Sequence, residues 1–360
     1  MTYSKKILKF IFTFGGNFNG LVNLIREENA KPLKNITAKK YLKQISRYQI
    51  NSGLYSFGSK NKNKKFYIIK RSPGAGFFSN VNYVLHDLLI CKKFNYIPII
   101  DMKNFKTIYN EKNKIYNFSN AWEYYFKRLN KYKLEEVYKS KNVIIPSQKT
   151  KLKFDISNKI FQNFKKKIII NSQIKNLSNS FSKKNFNTKD KILGIHLRGT
   201  SYKTASGHAL PPTAEIMSKF IDDLIKKYNY NKIFLVTEEK KYLNFFIKKY
   251  SKLCFFIHTY RSYKNDAFLV YPRKNHRYLL GKETLQEALI LSNCDGLAYI
   301  KSNLISASIF FSKKKQIKHS IFLGFNSRNR FISRWFWHVK KLLPNNYGGL
   351  KIISKKNNCY

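Results

Sequence analysis

From Ile192 onward the chain repeats one pattern: a short apolar run, a polar break, then a stretch whose apolar residues recur every three or four positions. The runs at 192–197, 233–236, 254–257 and 297–300 read as buried strands. The stretches at 213–228, 240–250, 283–294 and 303–311 read as the helices between them. Strands and helices in regular alternation bury their apolar surface as a parallel sheet with helices on both faces. The fold class is therefore α/β. A shorter version of the pattern comes earlier. The strand-like run 66–70 leads into the loop Ser72-Pro-Gly-Ala-Gly76. Val81, Val84, Leu85, Leu88 and Leu89 then recur at helical spacing, and the run 96–100 ends at Asp101, which completes a β-α-β unit. A further helix is expected around 120–126. Residues 1–62 show no legible pattern, and the lysine-rich run 58–65 reads as a solvated turn.

At 360 residues the chain exceeds one ordinary core. The Lys-, Asn- and Ser-rich stretch 139–191, with a helical pattern at 168–181, separates two textures. The expected organisation is one domain over 1–185, a second over 186–340, and a C-terminal tail over 341–360. Hydrophobic residues make up 43% of the chain and aromatics 16%, enough for packed interiors.

Seventy Lys and Arg against 19 Asp and Glu give a net charge of +51, a balance that suggests a polyanionic partner. The excess is mostly lysine and dispersed, so we read it first as compositional background and expect no nucleic acid. An anionic membrane or an acidic glycolipid stays compatible with it. Cys91, Cys254, Cys294 and Cys359 show no C-x-x-C pairing, which points to thiols in a reducing compartment. The basic N-terminus is interrupted by Lys9 and reads poorly as a signal peptide. The expected location is cytoplasmic, with peripheral association at the inner face of the membrane allowed for.

In a sheet of this class ligands collect at the carboxyl ends of the strands. Those ends carry His196, Arg198, Thr200 and Ser201, then Thr237, Glu238 and Glu239, then Lys301, Ser302 and Asn303. Arg198 offers a planar fork of donors for phosphate oxygens. Ser302 and Asn303 open a helix whose N–H groups favour an anion. Taken alone, Arg198 reads equally well as an ion-pair partner of Glu238 or Glu239, and Ser302 as an ordinary helix cap.

The segment Gly194-Ile-His-Leu-Arg-Gly-Thr200 resembles the H-x-R-x-T motif of the GDP-fucose-dependent fucosyltransferases of the core α1,6, nodulation and protein O-fucosyl groups. Phe234–Glu239 looks like their second motif. Glu283–Ser308 looks like their third, an acidic helix followed by an Asp seven residues before a Ser, here Asp295 and Ser302. Gly76-Phe-Phe-Ser-Asn80 is similar to their G-x-x-G-N loop. The resemblance implies two Rossmann-like domains in the GT-B arrangement. It implies Arg198 on the β-phosphate, His196 and Glu287 on guanine, and Ser302 and Asn303 completing the phosphate site. Thr200, Glu238, Glu239 and Asp295 would line the donor site, and Gly76 and Asn80 would reach toward the donor sugar. By itself Glu287 would be read as part of a solvated helix face.

Two departures bear on the chemistry. Ser201 stands where the resemblance has Asp, and no carboxylate lies between Tyr202 and Pro211. His208 is the nearest titratable group; it suits general-base work and reads equally well as a loop histidine with only a structural role. No D-x-D or histidine cluster suggests a metal, and no cofactor is expected beyond the donor GDP-L-fucose. The expected activity is inverting, metal-independent transfer of fucose to a glycan acceptor such as a surface polysaccharide, lipopolysaccharide or glycolipid. The alternatives are an enzyme of the same fold using another nucleotide sugar, and a non-catalytic basic protein that binds nucleic acid.

Overall fold

A computed structural model describes residues 37–45, 52–74, 76–146, 155–264 and 266–359. The chain divides into two compact units, Met1–Asn171 and Ser172–Tyr360. Each contains a mostly parallel sheet with helices, so the α/β class expected from the alternation is the class observed.

In the first unit, β1 (Gly53–Tyr55), β2 (Lys60–Ile69), β3 (Ile97–Ile100) and β4 (Ser140–Ile145) form a sheet in the order β1-β4-β2-β3. β2 runs parallel to β3 and β4, while β1 pairs antiparallel with β4. The Phe77–Phe94 helix is the β2–β3 crossover. It buries Val81, Val84, Leu85 and Leu88, and ends at Asn95 in the left-handed conformation (φ 56°), whose N–H returns to the Cys91 carbonyl.

The run 58–65 is not a turn, because 60–65 forms the outer part of β2. Those residues are mostly exposed, and β2 pairs regularly with β4 only from Lys65 onward. The strand therefore extends past the core, and a charged surface extension carries no apolar signal. β4 was also unanticipated. Its Val143, Ile144 and Ile145 are buried within what the sequence presents as a boundary region.

The second unit holds β5 (Ile192–His196), β6 (Lys232–Val236), β7 (Cys254–Phe255), β8 (Gly296–Tyr299), β9 (Ile317–Phe322) and β10 (Ser354–Cys359). Their order is β10-β9-β8-β5-β6-β7, parallel throughout except for β10 against β9. The Ala214–Tyr228 and Lys240–Tyr250 helices carry Met217, Phe220, Ile221, Leu243 and Phe246 into a core with Leu193, Ile195, Ile233 and Leu235.

Two expected boundaries move. The helix around 168–181 is Ser172–Asn185, and it packs on the His276–Leu291 helix of the second unit, so 172–185 does not belong to the first. The segment 341–360 is not a free tail, because 354–359 supplies an edge strand through backbone pairing with β9.

β8 begins at Gly296, a position where nothing larger fits. A Cβ would lie 2.0 Å from the Tyr230 hydroxyl, which is itself held at 2.9 Å from His319 Nε2. Among the described residues no helix is long and apolar enough to cross a membrane, and no group of three His, Cys, Asp or Glu could hold a metal ion.

Candidate functional site

The strand order of the second unit reverses at β5, with β6 on one side and β8 on the other. In sheets of this class the loops leaving the carboxyl ends of the strands diverge at such a reversal, which is where ligands bind. His196 ends β5 and Ser302 follows β8, and their side chains meet across the reversal, His196 Nδ1 to Ser302 Oγ at 3.2 Å. Ser302 Oγ also accepts the Ile305 N–H at 3.3 Å, so it caps the Asn303–Phe311 helix as well. His196 is buried. Desolvation and the charge of Arg198 lower its pKa to about 3, so the ring is neutral under ordinary conditions.

Arg198 extends from the β5 loop. Its Nη2 donates to Ser201 Oγ at 2.9 Å, its Nε lies 3.4 Å from Glu238 Oε1, and its guanidinium sits 4.5 Å above the Tyr202 ring. The ion-pair reading thus holds for Arg198 with Glu238, though not with Glu239. At position 201 the chain supplies a neutral acceptor, and the carboxylate beside Arg198 comes from the end of β6. Glu238 Oε1 also accepts the Gly199 N–H at 3.0 Å.

Glu239 takes another partner. Its two carboxylate oxygens each lie 2.7 Å from Lys203 Nζ, and that ammonium rests 4.7 Å from both the Tyr242 and the Trp337 rings. Gly199 allows this approach, since a Cβ there would stand 2.1 Å from Glu239 Oε2. Thr200 opens the short Thr200–Thr204 helix. Asn303 is the exposed first residue of its helix, in line with Ser302.

Glu287 is not on a solvated face. It is buried, and desolvation pushes its pKa up to about 8, opposed by Arg261 at 3.9 Å and by a hydrogen bond from Thr259. Arg261 was not anticipated. It donates to the carbonyls of Thr237 (3.1 Å), Thr259 (3.3 Å) and Ile257 (3.0 Å), tying the end of β6 to the loop after β7.

One turn before Glu287, Glu283 forms a two-pronged ion pair with Arg273, Oε1 to Nη1 at 2.5 Å and Oε2 to Nη2 at 2.8 Å. Arg273 Nε donates to His276 Nδ1 at 3.1 Å and His276 Nε2 lies 2.8 Å from the Ala267 carbonyl, which fixes that ring as the Nε2–H tautomer. The available signal was residue choice. In a chain whose bases are mostly lysine, Arg198, Arg261 and Arg273 hold positions where a planar fork makes several contacts that an ammonium could not.

His208 is exposed. Its ring lies 5.0 Å from that of Tyr202, the ring under Arg198, and partial desolvation followed by the Arg198 charge lowers its pKa. It therefore stands beside the Arg198 loop as a largely neutral base.

Asp295 does not join the cluster. It precedes β8, and its carboxylate accepts the Ile192 N–H at 2.9 Å and Lys314 Nζ at 2.9 Å, at the amino ends of β5 and β8. A donor-site role for Asp295 is corrected by this placement, a full strand length from His196. In the first unit, Asn80 Oδ1 accepts the Ser72 N–H at 2.9 Å and Asn80 Nδ2 donates to the Gly76 carbonyl at 3.3 Å, so its amide braces the loop 72–76.

No protein-family profile matches the chain, and no curated protein matches it. Among solved structures, the fold is similar to a NodZ alpha-1,6-fucosyltransferase co-crystallized with GDP, with 14% identity, 72% of this chain and 95% of that one covered, and a TM-score of 0.48. It is similar to fucosyltransferase NodZ from Bradyrhizobium at 13% identity, covering 74% of this chain and 99% of that one with a TM-score of 0.46. POFUT1 in complex with GDP-fucose aligns at 12% identity over 68% of this chain and 69% of that one, with a TM-score of 0.30.

Proposed function

We propose that the protein is a glycosyltransferase whose second unit binds a GDP-sugar, GDP-L-fucose foremost, and that it transfers the sugar with inversion and without a metal ion to a hydroxyl of a glycan or glycolipid. The observation that carries this reading is the His196–Ser302 contact across the strand-order reversal, with Arg198 beside it and a buried carboxylate at Glu287. In the proposed complex a diphosphate takes the Arg198 fork from Glu238. The helix opened by Ser302 and Asn303 adds backbone donors. Ionised Glu287 accepts the two N–H groups on the guanine edge, which adenine does not offer. In the reaction the acceptor oxygen attacks sugar C1 as the C1–O bond to the β-phosphate breaks. GDP leaves with the electron pair against Arg198, and His208 takes the acceptor proton.

Ser201 favours a second reading, an enzyme of this fold selective for another nucleotide sugar, because the resemblance has a carboxylate there. A thermal-shift series of GDP, GDP-fucose, GDP-mannose, UDP and ADP with EDTA present separates the readings. Saturating GDP and GDP-fucose should each raise the midpoint by several degrees, since a ligand at a hundredfold excess over Kd adds about 2.7 kcal/mol. Stabilisation by UDP or ADP alone, or only with a divalent ion, would refute the GDP-sugar proposal.

Glu287 makes nucleotide binding depend on pH in a defined direction. Its pKa is raised in the free fold, so its proton stabilises that fold fully below the ordinary carboxylate range, and the contribution is lost as pH rises through about 8. A guanine that needs the anion must expel this proton. GDP affinity should therefore rise with pH, by up to about tenfold per unit below 8, and level off above it. In Glu287→Gln the steep part should vanish and affinity should be low throughout. A GDP titration by calorimetry showing the same slope in that variant would remove Glu287 from the base site.

For His208→Ala, turnover of GDP-fucose with an accepted glycan should fall about 10²- to 10⁴-fold while GDP affinity stays within twofold. Turnover near that of the unaltered protein would show that His208 is not the base.

A further inference from the structure

The Arg330–Leu342 helix has one face docked and the other bare. On the docked side Ser333 and Trp337 are buried, Trp337 Nε1 donates to the Pro211 carbonyl at 2.8 Å, and Asn326 Nδ2 donates to the Ser333 carbonyl at 3.1 Å. On the bare side Phe331 is 80% exposed, Trp335 70%, Leu342 83%, Val339 53% and Ile332 53%. At 100° per residue these five project within roughly a 100° arc. Arg330, Arg334 and Lys341 fall together on one flank of that arc, and all three are exposed. Scattered surface apolar residues are ordinary, but five large ones on one stripe of one helix are not. Leu343 and Tyr347, directly after the helix, are 41% and 74% exposed.

The charge of the surroundings says what covers this stripe. From residue 296 to 360 the sequence contains no Asp or Glu at all, while Lys and Arg recur throughout. A protein partner for such a surface would have to be acidic and apolar at once. An anionic bilayer meets both demands, since basic side chains sit among headgroups while Trp, Phe and Leu enter the acyl boundary. We propose that the Arg330–Leu342 helix is a membrane-docking helix that lies in the plane of an anionic lipid surface with Phe331, Trp335 and Leu342 inserted.

The helix also bears on the strand-end cluster. Trp337 on its inner face is the ring over which Lys203 rests, and Lys203 holds Glu239 beside the Arg198 loop. Docking would hold that cluster about one helix diameter, some 10 Å, from the headgroups. That distance suits an acceptor whose sugar is carried on a lipid. The docking proposal itself does not depend on the proposed transferase activity and is tested without it.

The test uses the full chain with vesicles of phosphatidylcholine alone or with phosphatidylglycerol. A protein of net charge +51 adheres to any anionic surface, so binding at low salt decides nothing. The decisive readings are flotation at about 0.5 M salt, where the Debye length is only a few ångströms, and tryptophan emission. Trp122 and Trp337 are buried at 2% and 3% exposure, so Trp335 alone can pass from water into lipid. Anionic vesicles should shift the emission to the blue, and brominated acyl chains should quench it. Trp335→Phe should keep binding and lose both signals.

In F331S/W335S/L342S, which leaves the charge unchanged, partition should fall by about 10³-fold, each inserted side chain accounting for about tenfold. Its circular dichroism and thermal midpoint should remain those of the unaltered protein. Three results would overturn the proposal: equal flotation of the triple variant, no quenching of Trp335, or a dimer by light scattering that the same three substitutions dissociate.

Discussion

Arg198→Ala should lower kcat/KM for release of GDP from GDP-fucose by about 10³-fold, with the thermal midpoint of the free protein almost unmoved. The two halves of this expectation have separate physical grounds. Arg198 is partly exposed and pairs with Glu238 at 3.4 Å, a contact worth little to the fold at that exposure. Glu238 keeps its hydrogen bond from the Gly199 N–H when the guanidinium is gone, so the loop retains its anchor. In the proposed reaction the same side chain would face charge developing on the leaving diphosphate, where removing one preorganised donor typically costs 10²- to 10³-fold. Arg198→Lys keeps the charge but not the fork, and should recover only part of the loss. Steady-state rates of GDP release, with GDP affinity measured alongside, check this. An alanine variant within threefold of the unaltered protein would mean that the phosphate is held elsewhere.

The second large effect is on stability. Gly296→Ala puts a methyl 2.0 Å from Tyr230 Oη and 2.6 Å from its Cζ, inside a closed core. Tyr230 has little room to retreat, because its hydroxyl is held at 2.9 Å by the buried His319. Overpacking of this kind costs about 1–3 kcal/mol, and the disturbed buried hydrogen bond adds to it. The expected loss is about 3 kcal/mol in urea unfolding and on the order of 10 °C in midpoint. The Gly296→Ala/Tyr230→Phe double variant should recover only part of this, since the ring carbon still conflicts with the methyl. Gly76→Ala is the matched control. A Cβ there meets nothing within 4 Å, so its midpoint should stay within a degree or two. Equal losses at positions 76 and 296 would show that backbone freedom, and not the Tyr230 contact, sets the cost.

The elements legible in the sequence are those whose order is local. The Lys240–Tyr250 and Asn303–Phe311 helices begin and end where the periodicity does, and β5, β6 and β8 fall on uninterrupted apolar runs. β9 and β10 escape the same reading for a physical reason. β9 reads Ile-Lys-His-Ser-Ile-Phe, and its buried His319 is hydrogen-bonded to Tyr230, which is remote in sequence. β10 carries almost no apolar residues and exists through backbone pairing with β9.

The site divides along the same line. That His196, Arg198, Glu238 and Ser302 collect at strand ends was determined by the sequence alone, since each follows an apolar run that must be a strand, and parallel strands share one carboxyl edge. Burial and long-range pairing belong to the tertiary structure. Spacing could not show that Glu287 is enclosed with Arg261, because an acidic residue on a helix looks the same whichever face is covered. Nor did the motif spacing show that Asp295 serves the opposite edge, since its carboxylate is held there by partners remote in sequence, the Ile192 N–H and Lys314. Sequence periodicity determines which residues share a strand or a helix face. Only the packing of those faces decides which charges lose water, and with it which carboxylate holds a proton and which arginine is paired.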